Sequence, residues 1–433
     1  MIRPLVVAIA LAIAAGAPAS AQDREPERFG YELSLGLEHS DNIARTSGDE
    51  IDDTILVPRA VVDLLHRGPR FEATVAADVS YRHYLDGSFD DEVRGRADAV
   101  AWWSILPGRL RWLFEDHLAV EPVSLFTRDD PSNLQQINVF TTGPQLELRP
   151  SPRTRVEADL RWTDSWAEET REFRGQRTQA TLRGELERTP LSTWGLAIEA
   201  WDVGFEDEFT SADYRRADVY ASYARRLRRF ELDAQAGGTR IDFDDGGDTS
   251  GPLARVGIAW LIDADQALRL RLRRQFSDAT QSLIDVPLLE APGTGTPIER
   301  GVVADVFRER SAELRYERRG RRFAIDAGPF WRDYEYENTP TLDRRSDGAV
   351  AEASWALSPR TSLRFAAAGE RRDYALDGRE DRDIEIALGV ERRFTDHWSG
   401  RAGVLHRRRD STAPNQDYDE NVVFVTAVWS RPR

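Results

Sequence analysis

The chain contains no cysteine and no lysine. The first absence excludes disulfide staples and thiolate metal sites, so stability has to come from backbone hydrogen bonding and packing. The second makes each of the 59 basic residues an arginine, the forked cation best suited to bidentate pairing with carboxylates. Long apolar runs are absent beyond the extreme N-terminus, and none there approaches the ~20 residues that a membrane-spanning helix needs. Catalytic and metal motifs are missing too. The histidines (His39, His66, His83, His117, His397 and His406) show no His-Glu-x-x-His spacing, and there is no Gly-x-Ser-x-Gly elbow. The reading is no catalytic residue, no metal and no cofactor: not an enzyme. A net charge of −16 argues against a nucleic-acid partner.

What is present points to export. Arg3 precedes an apolar run from Leu5 to Ala15, and the small-residue site Ala19-Ser20-Ala21 follows. Residues 1–21 read as a signal peptide cut before Gln22. Residues 22–30 read as a short periplasmic segment, and 31–430 as one membrane-embedded domain. Charged residues at 31% beside 12 Trp, 11 Tyr and 18 Phe argue against disorder, because so many aromatics need burial or a lipid interface.

Most of the mature chain alternates apolar with polar residues. Tyr31, Leu33, Leu35 and Leu37 fall on one face of a strand, opposite Glu32, Ser34, Gly36 and Glu38. Leu268, Leu270 and Leu272 oppose Arg269, Arg271 and Arg273 in the same way, as Ile384, Ile386, Leu388 and Val390 oppose Glu385, Gly389 and Glu391. Tight connectors such as Arg67-Gly68-Pro69, Leu106-Pro107-Gly108 and Ser358-Pro359-Arg360 take turns with longer acidic ones such as Ala44 to Asp53 and Asp410 to Asp419. That alternation predicts an all-β, up-and-down antiparallel transmembrane β-barrel of about 20 strands (about 18–22), with short periplasmic turns and long external loops. The expected location is the outer membrane of a Gram-negative bacterium, with lipid and lipopolysaccharide around the barrel.

Aromatics sharpen this. Trp103, Trp112, Trp194, Trp260, Trp355, Trp398 and Trp429 lie close to short turns or the C-terminus and predict a periplasmic interface girdle. Tyr84, Trp166, Phe205, Tyr214, Phe243, Phe276, Tyr334 and Tyr374 lie near long loops and predict a second, external girdle. The last strand ends in Val423, Val425, Ala427 and Trp429 before Ser430-Arg431-Pro432-Arg433, so Trp429 is expected to replace a terminal aromatic as the signal to the barrel-assembly machinery.

Only a few residues separate the cleavage site from Tyr31, so no N-terminal plug is expected, and the lumen is open, narrowed by its own loops, or filled by a partner. Candidate lumen-lining residues are Arg269, Arg271 and Arg273, with Glu313, Arg315 and Glu317 on the next strand and Glu231 and Asp233 further round. They form either a selective stripe or a wall of paired charges. The longest connector starts at Asp278, and its Leu288, Leu289, Pro292 and Gly293 are the candidates for a constriction folded into the pore.

Three segments resemble the β-barrel porin type 2 family. They are Gly36-Leu37-Glu38-His39-Ser40-Asp41-Asn42-Ile43, Glu121-Pro122-Val123-Ser124 with Ser132-Asn133-Leu134, and Arg308-Glu309-Arg310-Ser311. The resemblance implies envelope transport or exopolysaccharide export, with polysaccharide or periplasmic export components as partners, and it brings no catalytic residues. The expected function is a porin-like barrel passing or guiding polar solutes or saccharide; the alternative is a non-conducting structural or interaction barrel.

Overall fold

A strand with one face in lipid must pair every backbone N–H and C=O, and only closure of the sheet removes its unpaired edges. The computed structural model, which describes residues 28–128, 130–207, 213–284 and 302–431, meets that requirement with twenty strands. The predicted signal peptide lies outside the described residues. The first ten strands are β1 (Arg28–Ser40), β2 (Asp53–Arg67), β3 (Phe71–Tyr84), β4 (Glu92–Leu106), β5 (Leu110–Pro122), β6 (Leu134–Ser151), β7 (Thr154–Ala167), β8 (Gly175–Thr189), β9 (Ser192–Phe205) and β10 (Tyr214–Arg226). The second ten are β11 (Phe230–Phe243), β12 (Asp248–Leu261), β13 (Gln266–Ser277), β14 (Phe307–Arg319), β15 (Phe323–Tyr336), β16 (Arg344–Ser358), β17 (Thr361–Tyr374), β18 (Glu380–Arg393), β19 (Trp398–Ser411) and β20 (Tyr418–Ser430). Each pairs antiparallel with its sequence neighbours, and β20 returns to β1, with Glu32 opposite Ser430 and Ser40 opposite Val422. The barrel is closed. Its first strand starts at Arg28 rather than Tyr31, because Arg28, Phe29 and Gly30 pair with Leu65, Leu64 and Asp63.

The predicted faces hold. Leu35, Ile198, Leu388 and Val425 are about half exposed (48–61%) on the outer wall, an apolar surface that makes sense only against lipid. Short turns close one end; Gly108, at φ +71°, takes the left-handed position in the turn between β4 and β5. By the outer-membrane rule this end faces the periplasm. One short α-helix, α1 (Ala279–Ile284), occurs among the described residues, and it belongs to the connector between β13 and β14.

The opening Ser40-Asp41-Asn42 motif holds the seam where the barrel closes. Ser40 Oγ donates to Glu420 Oε1 at 2.8 Å. Asp41 accepts from the Asn421 backbone and side-chain nitrogens at 2.7 and 2.8 Å. Asn42, fully buried, donates to the Asp419 and Thr46 carbonyls at 2.9 and 2.8 Å and accepts from Thr46 N at 3.0 Å. Asn42→Ala leaves these buried groups unsatisfied and is expected to cost about 1–3 kcal/mol. The check is the temperature at which the heat-modifiable band converts on a gel; a drop is expected, and an unchanged midpoint would refute the seam role.

Candidate functional site: the lumen

Inward-facing side chains on β1–β5 and β13–β20 enclose a cavity of about 1860 Å³. Its lining runs from Gly30, Glu32 and Ser430 at the short-turn end to Arg45, Pro122 and Tyr336 at the loop end. A smaller cavity of about 340 Å³ lies against the inner face of β8–β13, between Arg183, Glu199, Tyr220 and Arg255 on the wall and Gln281 of α1.

The connector after β13 divides the two. An external loop would stay over its own strands, but α1 crosses to strands six to eight places away in the ring. There Ala279 and Leu283 pack on Ala119, Ile137, Val139 and Ala167 of the inner wall of β5–β7, with Phe173 and Val302 completing the cluster. At the connector's two ends, Phe276 and Val306 join Trp201, Val203, Tyr214 and Ile241. Polar anchors fix both ends. Asp278 accepts from Arg177 Nη2 at 2.7 Å, from the Tyr214 hydroxyl and from Gln281 N. Asp305 accepts from Asn338 N, Asn338 Nδ2 and Thr339 Oγ1 at 3.1, 3.0 and 2.8 Å. Burial pushes the Asp278 carboxyl up, but the Arg177 charge and the donated hydrogen bonds outweigh it and hold it below its ordinary 3.8. The described parts of this connector therefore fold into the lumen. The constriction candidates Leu288, Leu289, Pro292 and Gly293 lie outside the described residues.

A second loop lies over the mouth. Between β5 and β6, Asn133 clasps its own loop, accepting from Ser124 N at 2.8 Å and donating to the Ser124 and Arg128 carbonyls at 2.9 Å each. So braced, the loop reaches across to the β17–β18 and β19–β20 connectors. Arg379 Nη1 donates to the Phe126 carbonyl at 2.7 Å, the Phe126 and Tyr374 rings sit 5.7 Å apart, and Arg128 donates to the Asn415 carbonyl at 3.3 Å.

The charged wall candidates are distributed as follows. Arg269 pairs with Glu317 at 2.7 Å, Arg315 with Glu313 at 2.6 Å and Asp326 at 3.4 Å, and Arg273 reaches Glu309 at 4.0 Å. Arg271 stands opposite Glu313 in the β13–β14 register but forms no ion pair among the described residues. These residues line the larger cavity. Glu231 and Asp233 do not: both lie near the short-turn end of β11, where Asp233 pairs with exposed Arg226 at 2.8 Å.

The seven Trp candidates lie at the short-turn end on the outer face and pair across strands: Trp103 with Trp112 and Phe71, Trp260 with Phe230, Trp355 with Phe323, and Trp398 with Trp429. The Trp194 and Tyr223 rings are 4.6 Å apart. The external girdle is not formed as expected. Tyr84, Tyr214 and Phe276 are buried in the clusters beneath the loops, Phe205 and Phe243 pack against the same clusters, and Tyr334 lines the cavity while Tyr374 is buried under Phe126. Their strand parity explains most of this: Tyr84 shares a face with Asp78 and Arg82, so proximity to a loop was a weaker guide than alternation. Sequence reading also missed the Asp278 anchor and the β5–β6 cover, because both depend on contacts between residues far apart in the chain.

No family model matches the chain, and no curated protein matches it. Among solved structures, a mutant of the ferric enterobactin receptor from Pseudomonas aeruginosa in complex with enterobactin aligns with a TM-score of 0.50 at 10% identity, covering 94% of this chain and 82% of that one. The FrpB iron transporter from Neisseria meningitidis (F3-3 variant) gives 0.46 at 9% identity over 94% and 82%. The copper transporter OprC gives 0.45 at 12% identity over 94% and 82%. At such identities the likeness shows fold alone: a large closed barrel of the outer-membrane type.

Proposed function

We propose that this barrel sits in the outer membrane of a Gram-negative bacterium and passes or guides polar solutes through its larger cavity. The observation that carries this reading is the length of that cavity, whose charged lining reaches from residues beside the periplasmic turns to residues beneath the external loops. A conduit of this kind needs a polar wall and a narrowed lumen, which the Arg–carboxylate rows and the inward connector supply. Saccharide is the finer reading, resting on the three porin type 2 segments. Above the apolar band, outward pairs such as Arg310–Asp333 (3.1 Å) and Arg408–Asp410 (2.9 Å) offer contacts to lipopolysaccharide headgroups. Export components of the periplasm would meet the short-turn end.

The cover over the mouth favours a second reading, a non-conducting interaction barrel. Single-channel recording in planar bilayers, joined to proteoliposome swelling with sugars of graded size, separates the two. Discrete current steps and size-limited swelling are expected. No current in any salt, with no swelling, would leave the interaction barrel.

A further inference from the structure

Charge divides unevenly between this chain's loops and its lumen. The whole chain carries −16, yet the larger cavity is lined by 19 arginines and 15 carboxylates, an excess of four positive charges. Most of the arginines are committed: Arg401 to Glu32 and Glu391, Arg407 to Glu385 and Glu420, Arg409 to Asp383, and Arg269 and Arg315 as described above. Arg96, Arg271 and Arg332 line the same cavity and form no ion pair among the described residues. On the acidic side Glu352 is in the same condition, beside Asp326 in the β15–β16 register.

Two of the three arginines share one stretch of wall. Arg271, Glu313 and Phe330 form a row across β13, β14 and β15; Glu313 in that row pairs with Arg315 and also lies within electrostatic reach of Arg271 and Arg332. Arg332 stands two positions along β15 on the same face, its guanidinium stacked 4.3 Å from the centre of the Phe330 ring and within electrostatic reach of the Glu313 and Glu370 carboxylates, with neither of which it forms an ion pair. Arg96 on β4 is nine strands from β13 in a ring of twenty, on the opposite wall of the lumen. Arg96 and Arg271 are exposed to the cavity. Ser282 of the inward helix lines this same cavity.

We propose that Arg271 and Arg332, with Arg96 on the opposite wall of the same cavity, form an anion-selecting site for solutes that carry carboxylate or phosphate groups. A guanidinium that forms no ion pair among the described residues keeps its full charge and fork donors to spare, and an oxyanion satisfies two of them at once. Small cations meet an unfavourable field at the same point. The inference rests on the conduit reading of the preceding section, and the experiment tells the two failures apart.

The full-length protein is reconstituted in a planar bilayer under a KCl gradient, and the reversal potential is read. Anion preference of about threefold or more is expected, falling to none or inverting in Arg271→Glu/Arg332→Glu; native heat-modifiable migration confirms that this variant forms a barrel. KCl current is then challenged with trigalacturonate, tripolyphosphate or neutral maltotriose. Block by the first identifies a carboxylated solute, by the second a phosphorylated one, and either supports the site provided that the double variant loses it. Cation preference, no preference, equal block by maltotriose, or selectivity unchanged in the variant would overturn it. Absence of any current would overturn the conduit itself.

Discussion

Asp278→Ala is expected to release the inward connector and raise single-channel conductance severalfold, while the barrel itself stays closed. Asp278 is almost fully buried, and its carboxylate holds Arg177, which is equally buried, on β8 and the Tyr214 hydroxyl on β10. Removing one partner of such a pair strands the other charge, at a cost of about 3–5 kcal/mol. That cost falls on the connector, because the twenty-strand ladder does not use Asp278. With the anchor gone, α1 loses its fixed entry into the lumen, and the apolar contacts of Ala279, Leu283 and Ile284 and the Asp305 anchor at the far end are left to hold the connector. Asp278→Asn, which loses the charge and keeps only one of the two acceptor oxygens that Arg177, Tyr214 and Gln281 N share, is expected to fall between. The same anchor predicts a pH response. A carboxyl held below its ordinary 3.8 contributes stability that is complete above that value and is lost as pH falls through the depressed one. Wild-type conductance attributable to this anchor is therefore level from pH 7 to about 4 and rises below it, whereas Asp278→Ala shows no such rise. Equal conductance of variant and wild type at pH 7 would refute the anchoring role.

Leu388→Arg is expected to impair membrane assembly severely, and Ser354→Arg to leave it intact. Leu388 faces outward in the middle of the apolar row Ile384, Ile386, Leu388 and Val390 on β18, half exposed. An arginine near the bilayer midplane of a barrel's lipid face costs about 2–4 kcal/mol. Ser354 faces the larger cavity on β16, two residues from Glu352, which forms no ion pair among the described residues. A new guanidinium there has both water and a carboxylate within reach. Urea-dependent unfolding in lipid vesicles would show the contrast. Comparable losses for both substitutions would mean that the faces are assigned wrongly.

Strand faces were legible from sequence because alternation is local and lipid enforces it strictly: Leu33, Leu35 and Leu37 could face only one way once Glu32 and Glu38 faced the other. The short turns and the Trp positions beside them followed from the same local rule. Strand ends were less legible. Whether Arg28 pairs depends on Leu65, which sequence spacing does not specify. Aromatics near loops were misplaced because above the membrane an aromatic can serve as interface anchor or as loop packing, and only its parity decides. The lumen was legible as a set of charged candidates but not as pairs: Arg269 and Arg271 look alike in the sequence, and the diagonal reach from Arg269 to Glu317 is what separates them. Asp278 gave no local signal, since its partners lie 101 and 64 residues away.

A chain without cysteine can be probed at single introduced thiols, and β18 is the strand to probe. Cysteine is placed in turn at Ile384, Glu385, Ile386, Leu388, Gly389, Val390 and Glu391 of the membrane-embedded protein, and each variant is treated with a charged, membrane-impermeant thiol reagent. The predicted result is labelling at 385, 389 and 391, which face the larger cavity, and protection at 384, 386, 388 and 390, which face lipid. Labelling that ignores this alternation, or protection at every position, would contradict a water-filled barrel.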